Sequence, residues 1–269
     1  MSITTQPIET PILEQIAAAT RAHRLRFRLI FAVVWIALIL VLGLGMWIAS
    51  GAELEFVFVS GPVIVLQGAG ITIFLSAASI VIATVLAIAG AMGRISRNPA
   101  ANAVAAFYVS LFRGTPLLVQ IYFAYYALPQ LGIVLDAIPT GIAALSLNYG
   151  AYMSETFRAG IQAVPRGQRE AAAALGMPER LIMRRVVLPQ AFRIVIPPIG
   201  NEFVAMLKDS ALVSTITVHE TLFMAQRIGR TAFEPVAALI IAAAVYWVLT
   251  IIFSFFQERL EKRMARGDR

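Results

Sequence analysis

The run Phe27–Ala49, nearly all apolar, constrains this chain more than any other feature. At about 1.5 Å per residue a helix of that length reaches roughly 35 Å, enough to cross a hydrocarbon core of about 30 Å. Comparable segments follow near Val65–Met92, within Asn102–Leu128, near Ile138–Ala159, from Pro189 to about Val218, and over about Val236–Phe256. Apolar residues make up 59% of the 269 and charged residues 14%. A soluble domain carries about 45–50% and about 25%. The excess apolar surface needs lipid, so the expected fold is all-α and polytopic, with about six transmembrane helices. The third to fifth spans contain polar residues, which blurs their limits. The first run exceeds the roughly 7–15 apolar residues of a signal peptide and follows a long tail, so it reads as an uncleaved helix.

The basic residues set the topology. The formal charge is +7, yet it is spread between apolar segments, which argues against nucleic acid. Arg21, Arg24, Arg26 and Arg28 precede the first span, and Arg94 and Arg97 follow the second. Arg158, Arg166, Arg169, Arg180, Arg184, Arg185 and Arg193 surround the link between the fourth and fifth. Arg259, Lys262, Arg263, Arg266 and Arg269 follow the sixth. Six crossings put all four groups on one side, which the positive-inside rule makes cytoplasmic. Both termini are then cytoplasmic, and the loops near 50–64 and 129–137, which carry no Lys or Arg, face outward. The loop over 218–235 carries Arg227 and Arg230.

Several chemistries lack their residues. The chain has no cysteine, which excludes disulfides, thiolate metal sites and a thiol nucleophile. Its two histidines, His23 and His219, lie far apart, and His219-Glu220 lacks the second His of a zinc-protease motif. No Gly-Lys dipeptide occurs, so there is no P-loop. Gly68-Ala69-Gly70 reads as close helix packing, and Tyr122, Phe123, Tyr125 and Tyr126 as an interfacial and packing surface. No enzymatic acid, base or metal cluster is evident, and no cofactor is expected.

The most informative stretch runs from Pro165 to Gln190, PRGQREAAAALGMPERLIMRRVVLPQ. It is too polar to span a membrane. Alanine-rich Gln168–Leu175 should be helical, and Gly176 sits where a C′ glycine adopts the left-handed conformation. Pro178 suits the first turn of a second helix, which Pro189 is expected to end. The result is a short helix–turn–helix hairpin. A DNA reader would have to reach a groove from between two membrane spans, and a plain loop needs no paired helices.

This segment resembles the EAA loop of ABC-type import permeases. The pattern is Glu-Ala-Ala, a Gly after three residues, nine residues, an aliphatic residue, one more, and Leu-Pro. Here it is Glu170-Ala171-Ala172, Gly176, Val186 and Leu188-Pro189, with Val in place of the usual Ile. Three further stretches resemble the polar amino acid permeases of the histidine and glutamine type: SLFRGTPLLVQIYFAYYALP from Ser110, AYMSETFRAGIQAVPRGQREAAAALG from Ala151, and LPQAFRIVIPPIGNEFVAMLKDSALVSTI from Leu188. The family usually has Thr-Ser after Lys-Asp, where this chain has Ser210-Ala211.

The resemblance implies a type I importer permease in the bacterial cytoplasmic (inner) membrane. It implies a cytoplasmic tail over 1–26, an extra helix over 27–49, a five-helix core over 65–257 with the coupling loop at 165–190, and a basic tail over 258–269. It also implies two ABC ATPase subunits that bind the ATP, a second permease subunit (identical or paralogous), an extracytoplasmic solute-binding protein and membrane lipid. Glu170, Ala171, Ala172, Gly176, Leu188 and Pro189 would couple to the ATPase. A permease of the same architecture for an opine, methionine or metal chelate stays open, as does an ion-coupled carrier without an ATPase.

Polar residues inside apolar segments are the other candidates. Arg113, Glu155, Glu202, Lys208 and Asp209, with Gln120, Asn148 and Asn201, lie in or close to expected spans. Intramembrane charges are costly and face a protein interior or a wet cavity. They form a polar route for a zwitterion, or internal pairs that hold bent helices together, or they mark a misplaced span edge. Pro197-Pro198 and Gly200 are expected to break their helix locally.

Overall fold

The computed structural model describes residues 10–51 and 53–265. Residues 1–9 of the N-terminal tail, Ala52, and Arg266 and Arg269 of the basic tail lie outside the described residues, as does the side chain of Arg21. The chain divides into two units, Met1–Ala52 and Glu53–Arg269.

In the first unit a single helix, α1 (Thr10–Ser50), extends well before the expected Phe27. Its stretch His23–Ser50 is long and apolar enough to cross a membrane, and the rings of Phe27, Phe31 and Trp35 follow one another along it.

The second unit begins with α2 (Leu54–Val63), which continues through a π turn at Ile64–Gly68 into α3 (Ala69–Arg94). This corrects the expected loop over 50–64. The segment is apolar enough to extend the second span, and the wider π turn begins two residues after Pro62, whose nitrogen cannot donate to the helix ladder.

The expected third span is two helices, α4 (Pro99–Gly114) and α5 (Leu117–Tyr126), bent by 104° across Thr115-Pro116. The amide of Gln120 donates to the carbonyls of Phe112 and Thr115 at 2.9 and 3.0 Å. It thereby satisfies backbone groups that the bend releases. Asn98 caps α4 by accepting from the Ala100 amide at 2.9 Å.

At the centre stands α6 (Ala137–Ala163), which packs most extensively on α3 and also meets α4 and α5. Small residues permit that approach. A Cβ at Gly90 would lie 2.2 Å from Ser154 Oγ, and one at Gly150 would lie 2.6 Å from Tyr108 Oη. Close backbone packing of this kind is the main source of helix association in lipid. Leu75, Ile121, Leu145, Met153 and Met206 fill the interior between these elements.

After α6 come α7 (Arg166–Ala174) and α8 (Glu179–Ile182), which form the expected hairpin. Two expectations fail here. Pro189 does not end a helix, because α8 passes through a π turn at Met183–Val187 directly into α9 (Leu188–Asp209). The wider turn makes room where a proline ring would otherwise meet the carbonyl one turn back. Pro197, Pro198 and Gly200 do not break the helix either, since α9 runs uninterrupted through all three. The prolines remove two ladder hydrogen bonds, and packing of α9 against α6 and α11 (Pro235–Ala265) holds the rest. Between α9 and α11 lie a 3-10 segment, Ser210–Ile216, and α10 (Thr221–Thr231).

Among the described residues, three helices are long and apolar enough to span a membrane, or four if the bent α4–α5 pair counts as one. At 27 and 22 residues, α6 and α9 are long enough. Their polar side chains keep them below that apolarity.

Candidate functional site

The candidate polar residues separate into distinct places. Asn148, Glu202 and Asp209 line one cleft of about 310 Å³, together with Thr115, Tyr149 and Tyr152. Glu202 and Asp209 are seven residues apart on α9, two helical turns, and so share a face. Asp209 Oδ2 accepts a 2.8 Å hydrogen bond from the Tyr149 hydroxyl. The Asn148 amide donates to Gln120 Oε1 and to the Phe112 carbonyl, both at 3.1 Å. Gln120 therefore fixes the cleft wall from behind. The Arg113 guanidinium lies 5.2 Å from the centre of the Tyr152 ring, within cation–π range. The lining itself offers carboxylate, hydroxyl and amide groups to a polar solute, and Arg113 stands outside it, stacked on Tyr152.

Glu155 sits elsewhere on α6. Its two oxygens accept from Arg94 Nε at 3.2 Å and from Arg158 at 2.6 Å. Arg94 closes α3, so Glu155 joins the two most tightly packed helices as an ion-pair clip. Asn201 accepts from Gln257 of α11 at 2.9 Å, and Lys208 is exposed on α9. Neither lines the cleft.

The hairpin has its own small core of Ile161, Val164, Ala172, Ile182, Val187 and Ala191, with Ile95 packed against it. Gly176 has φ +75, and a Cβ added there would meet no heavy atom within 4 Å. Its amide donates to the Ala173 carbonyl at 2.9 Å, and the Met177 amide to the Ala172 carbonyl at 3.2 Å. This is the left-handed helix end anticipated for a glycine. Ala172 is buried in the hairpin core, whereas Glu170, Ala171 and Pro189 are exposed and Leu188 is half-buried.

Sequence reasoning missed Tyr149, Tyr152 and Glu220. The tyrosines resemble packing residues until α9 places carboxylates beside them. Glu220, read only as a failed metal motif, is fully buried. It caps α10 by accepting from the Phe223 amide at 2.8 Å and also accepts from the hydroxyl of Tyr246 on α11. Thr72 of α3 meets Thr221 at 2.8 Å beside it.

Residues 83–266 match the family described as binding-protein-dependent transport system inner membrane component. The chain is 41% identical over 196 residues to the L-cystine transport system permease protein TcyB of Bacillus subtilis (strain 168), covering 72% of this chain and 84% of that one. It is 38% identical over 205 residues to the arginine transport system permease protein ArtQ of the same organism, covering 76% and 94%. It is 37% identical over 201 residues to the putative glutamine transport system permease protein GlnP of Rickettsia bellii (strain RML369-C), covering 74% and 92%. Among solved structures, that of an amino acid ABC transporter with histidines aligns with a TM-score of 0.71 at 38% identity, covering 74% of this chain and 94% of that one. A methionine ABC transporter, MetNI, aligns with a TM-score of 0.66 at 14% identity, which speaks to fold alone.

The chain belongs to the binding-protein-dependent transport system inner membrane component family. It is a membrane permease of the ABC importer class with the type I permease fold, and its relatives are transport permeases rather than enzymes.

Proposed function

We propose that this chain is the permease subunit of an ATP-driven importer of polar amino acids. The carrying observation is the cleft on α6 and α9, whose lining offers carboxylate, hydroxyl and amide groups to a polar solute. Relatives named for cystine, arginine and glutamine transport support the same cargo class. Arg113, Gln120, Asn148, Glu202 and Asp209 would contact or shape the solute path. Asn201 and Lys208 would lie outside it, and Glu155 would act through the helix clip.

The proposed topology has six crossings, by α1, α2–α3, α4–α5, α6, α9 and α11. Both termini and the 165–190 hairpin lie in the cytoplasm, and the core over 65–257 follows the extra helix at 27–49. Two separate ATPase subunits bind the ATP, and this chain needs no cofactor of its own. Glu170, Ala171, Ala172, Gly176, Leu188 and Pro189 form the coupling hairpin. A second permease, identical or paralogous, completes the pathway. ATP binding draws the hairpins together and opens the path outward to a solute-binding protein, and hydrolysis resets it.

The absence of native cysteine allows a clean test. Single cysteines at Thr231, on α10, and at Leu175, on the exposed hairpin, are reacted with an impermeant reagent in intact cells made permeable in their outer envelope. Labelling at 231 and not at 175 is expected, and the reverse would overturn the topology. ATP-dependent uptake by proteoliposomes of the whole complex then decides the cargo class. Uptake of methionine or an opine but no polar amino acid would overturn the substrate reading.

A further inference from the structure

The helix ends of α7 and α10 close in the same way. In α7 the Gly176 and Met177 amides bond back to Ala173 and Ala172, and Pro178 follows. In α10 the Phe233 amide donates to the Arg230 carbonyl at 3.4 Å and the Glu234 amide to the Gly229 carbonyl at 2.8 Å, and Pro235 follows. The residue at the centre of each motif is left-handed, with φ +75 at Gly176 and φ +59 at Phe233. Glycine suits that position because it has no Cβ, and a bulky side chain there is a true outlier. Thr217 (φ +65) takes the same conformation with a short hydroxyl side chain in place of a ring.

Among the described residues no packing compensates for the ring of Phe233, which is 91% exposed. Its platform is firmly held. At one end of α10, Glu220 and Thr221 bond to Tyr246 and Thr72. At the other, a Cβ on Gly229 would lie 2.7 Å from Ala238 Cβ, so the turn into α11 is tightly packed. Beside the ring, Ala232 and Glu234 join Glu53, Glu55 and Phe56 around a cleft of about 390 Å³ with no Lys or Arg in its lining. Arg227 and Arg230 lie on α10 outside that lining.

We propose that Phe233, held in a glycine's conformation, is the anchor by which this permease engages its solute-binding protein. The inference rests on the outward placement of 218–235 under the importer reading. A fixed, solvated aromatic on a rigid turn is a ready interface hot spot. The three carboxylates beside it repel anionic lipid headgroups and favour a partner that surrounds an apolar socket with basic residues, which also speeds encounter. The family's dependence on a binding protein supplies such a partner on that face.

The test uses the whole complex in nanodiscs with the purified solute-binding protein of the same transport system. The half-saturating binding-protein concentration for stimulated ATP hydrolysis is measured for wild type, Phe233→Gly, Phe233→Ala and Phe233→Trp. Both truncations should raise it roughly tenfold, as loss of an interface anchor does, while basal hydrolysis and the rate at saturation stay unchanged. Phe233→Gly should melt no lower than wild type, because glycine fits the backbone, and Phe233→Trp should retain coupling. Unchanged half-saturation in both truncations overturns the proposal. So does a defect that follows the anionic lipid content of the nanodisc instead of binding-protein concentration, which would make Phe233 a lipid anchor. A wild-type complex that ignores the binding protein overturns the importer reading itself.

Discussion

The Tyr149 hydroxyl of α6 donates a 2.8 Å hydrogen bond to Asp209 at the end of α9, tying together the two helices that line the cleft. Tyr149→Phe leaves a half-buried carboxylate without that donor, a loss of about 1–3 kcal/mol. Uptake at low solute concentration should fall roughly tenfold, equivalent to about 1.4 kcal/mol, with membrane insertion unchanged. Radiolabelled amino acid uptake in proteoliposomes checks this. Normal uptake would remove Tyr149 from the solute path.

Replacement of Glu155 tests the clip between α3 and α6. Glu155→Gln should keep the fold and impair transport, because it retains an acceptor but loses the charge that holds two arginines. Glu155→Leu should do at least as much harm by leaving Arg94 and Arg158 facing each other. The side chains of Arg94 and Glu155 are 30% and 19% exposed, between the surface and buried regimes, so a destabilisation of roughly 1–3 kcal/mol is expected. Thermal melting of the purified complex measures it, alongside uptake. Wild-type transport by the Leu variant would show that the clip is dispensable.

At Gly176 the obstacle is backbone conformation alone, since nothing lies within 4 Å of an added Cβ. Gly176→Val should cost about 1–2 kcal/mol locally and leave insertion intact. It should sharply reduce ATP hydrolysis stimulated by loaded binding protein, with Gly176→Ala milder. Glu170→Lys, which reverses a charge on the exposed face of the hairpin, should also disrupt docking. Full stimulation in Gly176→Val would show that the hairpin does not carry the ATPase motion.

Glu220, between the spans, supplies a pH test. Burial pushes its carboxyl up, against the opposing pull of hydrogen bonds from Tyr246, the Leu222 and Phe223 amides and Thr72. The folded state therefore holds this proton more firmly than the unfolded chain. The associated stability is complete below the ordinary carboxylate value of about 4.3 and is lost as pH rises through the folded value. Glu220→Gln has no proton to lose. Its melting temperature should decline less than that of wild type over that window, measured in detergent by differential scanning fluorimetry. Parallel slopes would mean that the folded and unfolded states bind the Glu220 proton equally.

The sequence made the hairpin legible because its signals are local. Alanines, a glycine and a proline at fixed spacing act within one turn of chain, and Gly176 adopts the conformation that its spacing requires. The prolines misled for the opposite reason. Pro189, Pro197 and Pro198 are local breakers, but their helix is held by tertiary packing and by a π turn that no simple spacing rule reveals. In the cleft, polarity amid apolar sequence pointed to Asn148, Glu202 and Asp209, while the neighbours Asn201 and Lys208 turned elsewhere. Adjacent residues on a helix differ by about 100° in direction, so sequence proximity could not separate them. Tyr149 and Tyr152 became polar site residues only once α9 lay against α6. Glu220 left little trace, because its side-chain partners are some 26 and 148 residues away in the chain.

The unbroken run from Glu179 to Asp209 gives the molecule a lever. At 1.5 Å per residue it is about 45 Å long. One arm begins at the hairpin turn, and the other ends on the two carboxylates of the cleft. Tilting such a rod by about 5° about one end carries the other end through about 4 Å, more than the length of a hydrogen bond. Under the proposed coupling, a tilt of that size at the hairpin would part Tyr149 from Asp209.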